Sequence, residues 1–477
     1  MPCRVQRMAQ SVHLRPYVYI KFENQCDRDH GAKRQWDFMT VLWQWAELSA
    51  ALSARSQAGP DVMRVAFDSR KTQPGDLFLA LPGDPGPKFN PSQRSKVDGH
   101  AFLADAKSKG AVGAVVQSLQ QHVDLPQIVV DDSYDALWQL GQIARRRLAQ
   151  PVLAVTGSSG KTTAKRFLAA ALNAYAPPGS LNNHIGVPLS LANADPSAPV
   201  WVFEIGTNHP GEIEPLTAMV EPHCAILLNV HSAHIENFSS RRALIEEKCE
   251  IFSHMHGDKL CIAEDTLGLS GFTFGWQSGS DAQILSINGD RMEVRVQGNV
   301  LQARLPGGGE HRGLTLAATL LAAVLLQVDL AAALDLPDTL VPEGRGNVLD
   351  CAGVSLIDES YNANPASMTA AIRAFADRRC SGRKYLLLGE MLELGKQAKR
   401  AHEEIQQMAT QFDGCFYVGA GFSSTQATGQ LWFAEANDEL LQTLQRTLEP
   451  NDCLLIKGSN RVFWAKGFVP QLAQTLT

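Results

Sequence analysis

The chain has 477 residues, which at roughly 100–200 residues per domain predicts about three domains, each able to bury a core. Hydrophobic content of 45% and charged content of 19% exclude a coiled coil, a collagen-like chain and a disordered chain. The formal net charge of −6 supplies no bulk basic field for nucleic acid or anionic lipid. Nine cysteines run from Cys3 to Cys453 without a C-x-x-C pair. That odd, scattered set suits free thiols in a reducing compartment, and neither a disulfide scaffold nor a zinc cluster.

Met1 to Asp37 mixes Arg, His, Lys and Asp and lacks an uninterrupted apolar run, so it does not read as a secretion signal. Residues 1–38 read as a loosely held extension, or Met39 as the true start; a partner-binding arm is the alternative. Regular pattern begins at Met39, where VLWQWAELSAAL predicts an amphipathic helix. Residues 39–147 then form a small α/β unit with strand-like MRVAFDSR, DLFLAL, AVGAVV and QIVV and a helix from Ala101. Between Gly83 and Asp98 the Pro, Gly, Asn and Ser content marks a surface loop.

A second unit, residues 148–342, carries the apolar runs PVLAVTG, VWVFEIG, AILLNV and KLCIAE between helical patterns. These predict a parallel sheet covered on both faces. Leu314 to Leu326 is the longest apolar stretch, but it falls short of the ~20 residues of a membrane span and reads as a buried helix. A soluble, cytoplasmic protein is expected. The third unit, residues 343–477, repeats the arrangement with VSLIDES, KYLLLGE, CFYVGA and CLLIKGS. The expected fold class is α/β in three domains.

The sharpest chemical signal is AVTGSSGKTT, Ala154 to Thr163. A strand entering a Gly-rich turn and then a helix sets backbone N–H groups where a phosphate chain can sit. Gly157, Ser158, Ser159, Gly160 and Thr163 form the cradle, Lys161 would reach the terminal phosphates, and Thr162 would take a Mg²⁺ position. Val155 stands where the strict G-x-x-x-x-G-K-[ST] pattern has its first glycine. An ordinary glycine turn before a helix is the bland alternative.

Glu204 ends the strand VWVFE, where a parallel sheet presents carboxylates to its crevice, and it could hold Mg²⁺ between nucleotide phosphates. His231 and His234 follow AILLNV, but two imidazoles without a third soft ligand are a poor site for hard Mg²⁺. In RALIEEKCEIF the neighbours of Lys248 at helical spacing are Leu244, Ile245, Ile251 and Phe252. The lysine therefore faces the core, while Glu246, Glu247 and Glu250 are expected to look outward. Desolvation favours a neutral amine there, able to act as a base or to form a metal-binding carbamate with CO₂; a snorkelling lysine is the alternative. In the third unit, LIDESYNANPASM places a polar loop after a strand, where α/β ligands bind. Arg345, at the junction of the second and third units, suits a phosphate contact across an interdomain cleft.

Together these motifs resemble the Mur ligase family, the ATP-dependent amide-bond ligases of bacterial peptidoglycan precursor synthesis. The likeness runs from Met39 to Thr477 through TGSSGKTT, NNHIGVP, FEIGTNHPGEI, NVHSAHIENF, DESYNANPASM and GEMLELG. FDSR, PGDLFLAL and DGHAF resemble the family's uridine-binding domain, and the DNPR segment of the preceding, tripeptide-forming ligase is absent.

The resemblance implies a UDP-sugar-binding domain, a central P-loop parallel-sheet domain and a Rossmann-like C-terminal domain. It implies addition of D-Ala-D-Ala to UDP-MurNAc-tripeptide through an acyl phosphate, by a monomer with no nucleic-acid partner. A folylpolyglutamate-type or other amino-acid ligase, and a P-loop ATPase without ligase activity, are the rivals. By position it assigns Lys161 to the phosphates, with Thr162 and Glu204 on one Mg²⁺ and His234 with a carbamylated Lys248 on a second. Asn183, Arg345, Asp358 and Asn362 would contact ATP, and Ser69 with Arg70 the UDP-sugar. The chain departs from the family's adenine-side pattern, keeping His311 but carrying Arg312 and Thr315 in place of asparagines. KGSN followed by Arg461 replaces the usual KGSR.

Overall fold

The computed structural model describes residues 41–86, 97–231, 235–257, 259–422 and 430–477. The expected N-terminal extension, His234 and most of the 83–98 loop lie outside the described residues. The amphipathic stretch after Met39 becomes helical only at Trp45, in Trp45–Ala51. Trp43 instead bridges to Val62 and its indole N–H donates to the Ala192 carbonyl at 2.9 Å.

The strands build three sheets. The first contains Arg55–Ser56 (β1), Arg64–Ala66 (β2), Asp76–Leu79 (β3), Gly113–Val116 (β4) and Gln127–Val129 (β5), in the order β1-β5-β4-β3-β2. All pairs but β1–β5 are parallel. The helix Ser133–Arg147 leaves this unit and packs on Gly186–Ala192 of the next. Gly141 is small because a Cβ there would lie 2.9 Å from the Cα of Pro188. Arg145 is buried and donates to the carbonyls of Val220 at 2.6 Å and Glu221 at 2.8 Å. It thereby satisfies acceptors that the helix Ile213–Val220 leaves open at its C-terminus.

The central sheet takes Val152–Thr156 (β6), Trp201–Glu204 (β7), Cys224–Leu227 (β8), Leu260–Glu264 (β9), Phe272–Gly275 (β10), Ala282–Asn288 (β11), Arg291–Val296 (β12) and Asn299–Arg304 (β13). Its order is β13-β12-β11-β10-β9-β8-β6-β7. Strands β6 to β9, foreseen as parallel, pair in parallel. Strands β10 to β13 extend the sheet, and β11, β12 and β13 turn antiparallel. The β12–β13 turn is Gln297-Gly298, both at positive φ (47° and 84°), the geometry of a two-residue hairpin.

Alternation along β6 divides the core. Val152 and Ala154 pack with Leu137, Val187 and Leu216 on one face, while Leu153 and Val155 meet Phe167, Leu168, Leu316 and Leu320 on the other. The expected apolar helix is Glu310–Leu325. Among the described residues no helix is long and apolar enough to cross a membrane, and all seven described cysteines are free thiols.

The third sheet holds Asn347–Cys351 (β14), Val354–Glu359 (β15), Lys384–Gly389 (β16), Gly414–Val418 (β17), Gln430–Phe433 (β18) and Cys453–Lys457 (β19), in the order β14-β15-β19-β16-β17-β18. All but β14 run parallel. Glu359, Gly389 and Lys457 therefore end neighbouring strands on one edge, the position that gathers ligand-binding loops.

Candidate active site

Strand β6 is buried throughout and runs into Gly157–Gly160, after which the helix Lys161–Leu172 begins. Gly160 sits at φ +82° as that helix's N-cap, a left-handed conformation that favours glycine. The loop is braced from the end of β8. The Ser158 amide donates to the carbonyl and the side-chain oxygen of Asn229, both at 3.1 Å, and the Ser159 amide to that side-chain oxygen at 3.0 Å. The Ser158 hydroxyl donates to the His231 carbonyl at 3.0 Å and accepts from its amide at 2.9 Å. The amides at the start of the helix have no intrahelical acceptor and point into the site. Lys161 curls back so that Nζ donates to the Gly157 carbonyl at 2.9 Å. Burial lowers its pKa, Glu204 opposes that, and Arg345 adds to it.

The next residue, Thr162, shares a 2.7 Å hydrogen bond with Ser180. Glu204, buried at the end of β7, accepts from Asn182 Nδ2 at 3.0 Å through Oε1. Its Oε2 has no hydrogen-bond partner among the described residues and lies 3.6 Å from Lys165 Nζ. Lys165 in turn donates to the carbonyls of Pro177 at 2.7 Å and Gly179 at 2.6 Å. Asn183, named from sequence, spends its side-chain oxygen locally on the amides of Ile185 and Gly186. The neighbouring Asn182 is the one that reaches the carboxylate. A hydroxyl and a carboxylate oxygen without a hydrogen-bond partner are hard oxygen donors of the kind that fit Mg²⁺. Among the described residues no group of three or more His, Cys, Asp or Glu converges as a metal site.

Lys248 lies in the helix Arg241–Cys249 and is among the largest fully buried side chains. Burial first, and Lys161 second, hold its pKa down at about 7 against a weaker pull from Glu247. The outward reading of Glu247 is corrected: it is buried, and accepts from the amides of Gly211 at 2.7 Å, Glu212 at 3.1 Å and Ile213 at 2.9 Å. The loop after β7 folds back over the helix, and its amides at the start of Ile213–Val220 need an anion. Glu246 does stay outside, paired with Arg242.

The third unit closes the site. Arg345 Nη2 reaches Ser180 Oγ at 3.4 Å, with its guanidinium 3.9 Å from the centre of the Tyr361 ring. Asp358 is buried, which raises its pKa, and its carboxylate accepts from the Ser360 amide at 3.0 Å. Asn362 is exposed and bonds its own neighbour Ala363, while Asn364 caps the helix Pro365–Asp377. His311 lines a cleft of about 1150 Å³ that the central and third units share. Its Nδ1 has no hydrogen-bond partner among the described residues, and burial holds its pKa near 3, so the ring is neutral. Thr315, one turn on, gives its hydroxyl to the His311 carbonyl at 3.2 Å. Lys161 and Lys165 both feel the buried Glu204 carboxylate, Arg345 presses on both lysines and on Arg166, and Lys161 presses on Lys248, a cationic focus in a chain of net charge −6 that suits polyphosphate.

Residues 155–301 match the Mur ligase middle domain, and residues 344–460 the Mur ligase, glutamate ligase domain. The UDP-N-acetylmuramoyl-tripeptide–D-alanyl-D-alanine ligase of Escherichia coli K12 is 33% identical over 367 residues, which is 72% of this chain and 78% of that protein. The chain belongs to the Mur ligase family. The Rickettsia prowazekii ligase of the same name is 28% identical over 453 residues, covering 88% of this chain and 98% of its own. Among solved Mur ligases, MurF from Acinetobacter baumannii superposes with a TM-score of 0.75 at 27% identity, covering 91% of this chain and 99% of that one. MurF from Thermotoga maritima, in complex with ADP, gives 0.72 at 26% identity over 87% and 97%.

Other parts of this Mur ligase's expected site lie apart from the phosphate loop. Ser69 and Arg70 follow β2 in a short 3₁₀ turn, at the carboxyl edge of the first sheet. Ser69 is buried, and the exposed Arg70 guanidinium pairs with Asp68 at 2.8 Å. Residue-by-residue reading missed Ser180, Asn182 and Lys165, and it missed the ionic group of Arg312, Glu359 and Lys457. Asn182 opens the NNHIGVP block and Ser180 lies two residues before it, so both were within reach of the sequence; Lys165 was hidden as one more charge on a helix.

Proposed function

We propose that this Mur ligase joins D-alanyl-D-alanine to UDP-MurNAc-tripeptide with hydrolysis of ATP to ADP and phosphate, in the cytoplasm, for peptidoglycan synthesis. The observation that carries the reading is the phosphate loop facing a cationic cluster to which the third unit contributes Arg345. The terminal carboxylate of the tripeptide attacks the γ-phosphorus of ATP, and ADP leaves. The amine of D-Ala-D-Ala then attacks the acyl carbon, and the tetrahedral adduct collapses to amide and inorganic phosphate. Lys161, the amides of Gly157–Thr163 and Arg345 stabilise charge on the transferring phosphoryl group in a site shielded from water.

Thr162 and Glu204 would hold Mg²⁺, which when bound offsets charge on the phosphate oxygens. Lys248, carbamylated, would offer an anionic oxygen ligand together with His234; its pKa of about 7 favours the neutral amine that CO₂ requires. His234 is also the candidate base for the incoming amine. The His311 cleft would take the adenosine, with Asp358 and Asn362 on the third-unit side, and the first sheet would hold the UDP-sugar at Ser69 and Arg70. Product analysis tests the reading. With ¹⁸O in the tripeptide carboxylate, UDP-MurNAc-pentapeptide should form and one label should appear in phosphate. Pentapeptide with unlabelled phosphate would refute the acyl phosphate, and no pentapeptide would refute the substrate assignment.

A further inference from the structure

Arg312, the adenine-side departure from the family pattern, is buried in the first turn of Glu310–Leu325. Its guanidinium joins two units. Nη1 donates to the carbonyls of Gly307 at 2.9 Å and Gly308 at 2.8 Å in the central unit. Nη2 donates to the Arg345 carbonyl at 2.7 Å and to Glu359 Oε1 at 2.9 Å in the third. The other Glu359 oxygen accepts from Lys457 Nζ at 3.2 Å, and Lys457 also donates to the Asn362 carbonyl at 3.2 Å. Gly346 lies against this fork at φ +105°; a Cβ there would overlap the guanidinium and lie 2.9 Å from Glu359 Oε1. The residue whose carbonyl Arg312 grips is Arg345, whose own side chain reaches Ser180 and, through it, Thr162.

We propose that Arg312 is a positioning residue, an interdomain latch that holds the Arg345 backbone so that its guanidinium faces the phosphate loop before nucleotide arrives. The proposal rests on the ligase reading above. All four Nη donors of Arg312 are committed to protein acceptors, so Arg312 acts through Arg345 rather than on the base. A fork bridging four acceptors is a task for arginine and not for lysine, whose ammonium is a point charge. If the competent arrangement is already populated, ATP binds without a preceding closure equilibrium; weakening the latch multiplies the apparent dissociation constant by the inverse of the closed fraction.

The test uses the full-length enzyme and its R312Q, R312K and E359Q variants, each checked by circular dichroism for native secondary structure. Small-angle scattering without nucleotide should show R312Q and E359Q expanded relative to the parent. Saturating ATP and Mg²⁺ should return them toward its dimensions. KM for ATP should rise about tenfold in R312Q, within the usual range of interdomain coupling, with kcat changed less than about threefold because bound nucleotide restores closure. R312K should fall nearer R312Q than the parent. The R312Q/E359Q double variant should be no worse than R312Q, because both remove one linkage. Unchanged scattering with KM for ATP within about twofold of the parent would overturn the latch. Should R312Q misfold, R312K and E359Q carry the same readouts. A parent enzyme that makes no pentapeptide would defeat the ligase reading instead, while the scattering arm would still judge the latch.

Discussion

Replacing Lys248 with Met keeps the linear apolar stem and removes a buried ammonium. Burial together with Lys161 lowers its pKa to about 7 from an ordinary 10.5. An unfolded chain keeps that proton up to pH 10.5, whereas the folded one releases it above about 7. The unfolded state therefore binds more protons between these values, and stability must climb with pH across the window. At pH 8 the burden on folding is about 3 kcal/mol, and Met lifts it. In CO₂-free buffer, urea unfolding of the central unit should show Lys248→Met more stable than the parent by an amount of that order, with the pH slope between 7 and 10 flattened. Ligation should nevertheless collapse, because Met offers neither amine nor carbamate. Bicarbonate should not restore it; in Lys248→Ala, which empties the space the stem fills, small carboxylic acids should restore part. A Met variant less stable than the parent, with the slope intact, would show instead that the ammonium is well solvated or well paired.

Lys161→Ala should lower ligation by about 10³-fold or more while the fold survives; near-normal turnover would remove Lys161 from the phosphate site. Glu247→Gln leaves the amides of Gly211, Glu212 and Ile213 without an anion. It should cost about 2 kcal/mol, read as a lower urea midpoint of the central unit; an unchanged midpoint would contradict the capping role. His311 and His223 are held neutral, near pKa 3 and 4, below their ordinary 6.5. The unfolded state binds more protons below pH 6.5, so stability falls as pH drops from 6.5 toward 4, by up to about 1.4 kcal/mol per unit from His311. His311→Gln should flatten that acid slope, and an unaltered slope would count against its burial.

Much of the site was legible because its logic is local. The strand, glycine turn and Lys161–Thr162 lie within a dozen residues, Glu204 ends its strand, and helical spacing alone put Lys248 toward the core. The same spacing misjudged Glu247. A neighbour of a buried residue was expected in solvent, but the loop after β7 covers that side with three amides. The parallel core β6–β9 stood out as apolar runs, whereas β11–β13 mix exposed and buried positions and their pairing depends on turns such as Gln297-Gly298. Arg312 and Glu359 are 47 residues apart in sequence, and Glu359 and Lys457 are 98 apart. No periodicity links such charges, and only the packing of the third sheet on the central one brings them together. Asn183 and Asn182 show the finest limit, since adjacent identical residues serve a helix cap and a carboxylate, and only geometry tells them apart.

In the proposed reaction, turnover of ATP is coupled to two substrates, a phosphoryl acceptor and an acyl acceptor. Phosphate release from ATP and Mg²⁺ should be measured with UDP-MurNAc-tripeptide and D-Ala-D-Ala added singly and together. Sustained release is expected only with both present, in a one-to-one ratio to pentapeptide. Release at the same rate with neither present would contradict it and make the chain a P-loop ATPase on a ligase scaffold.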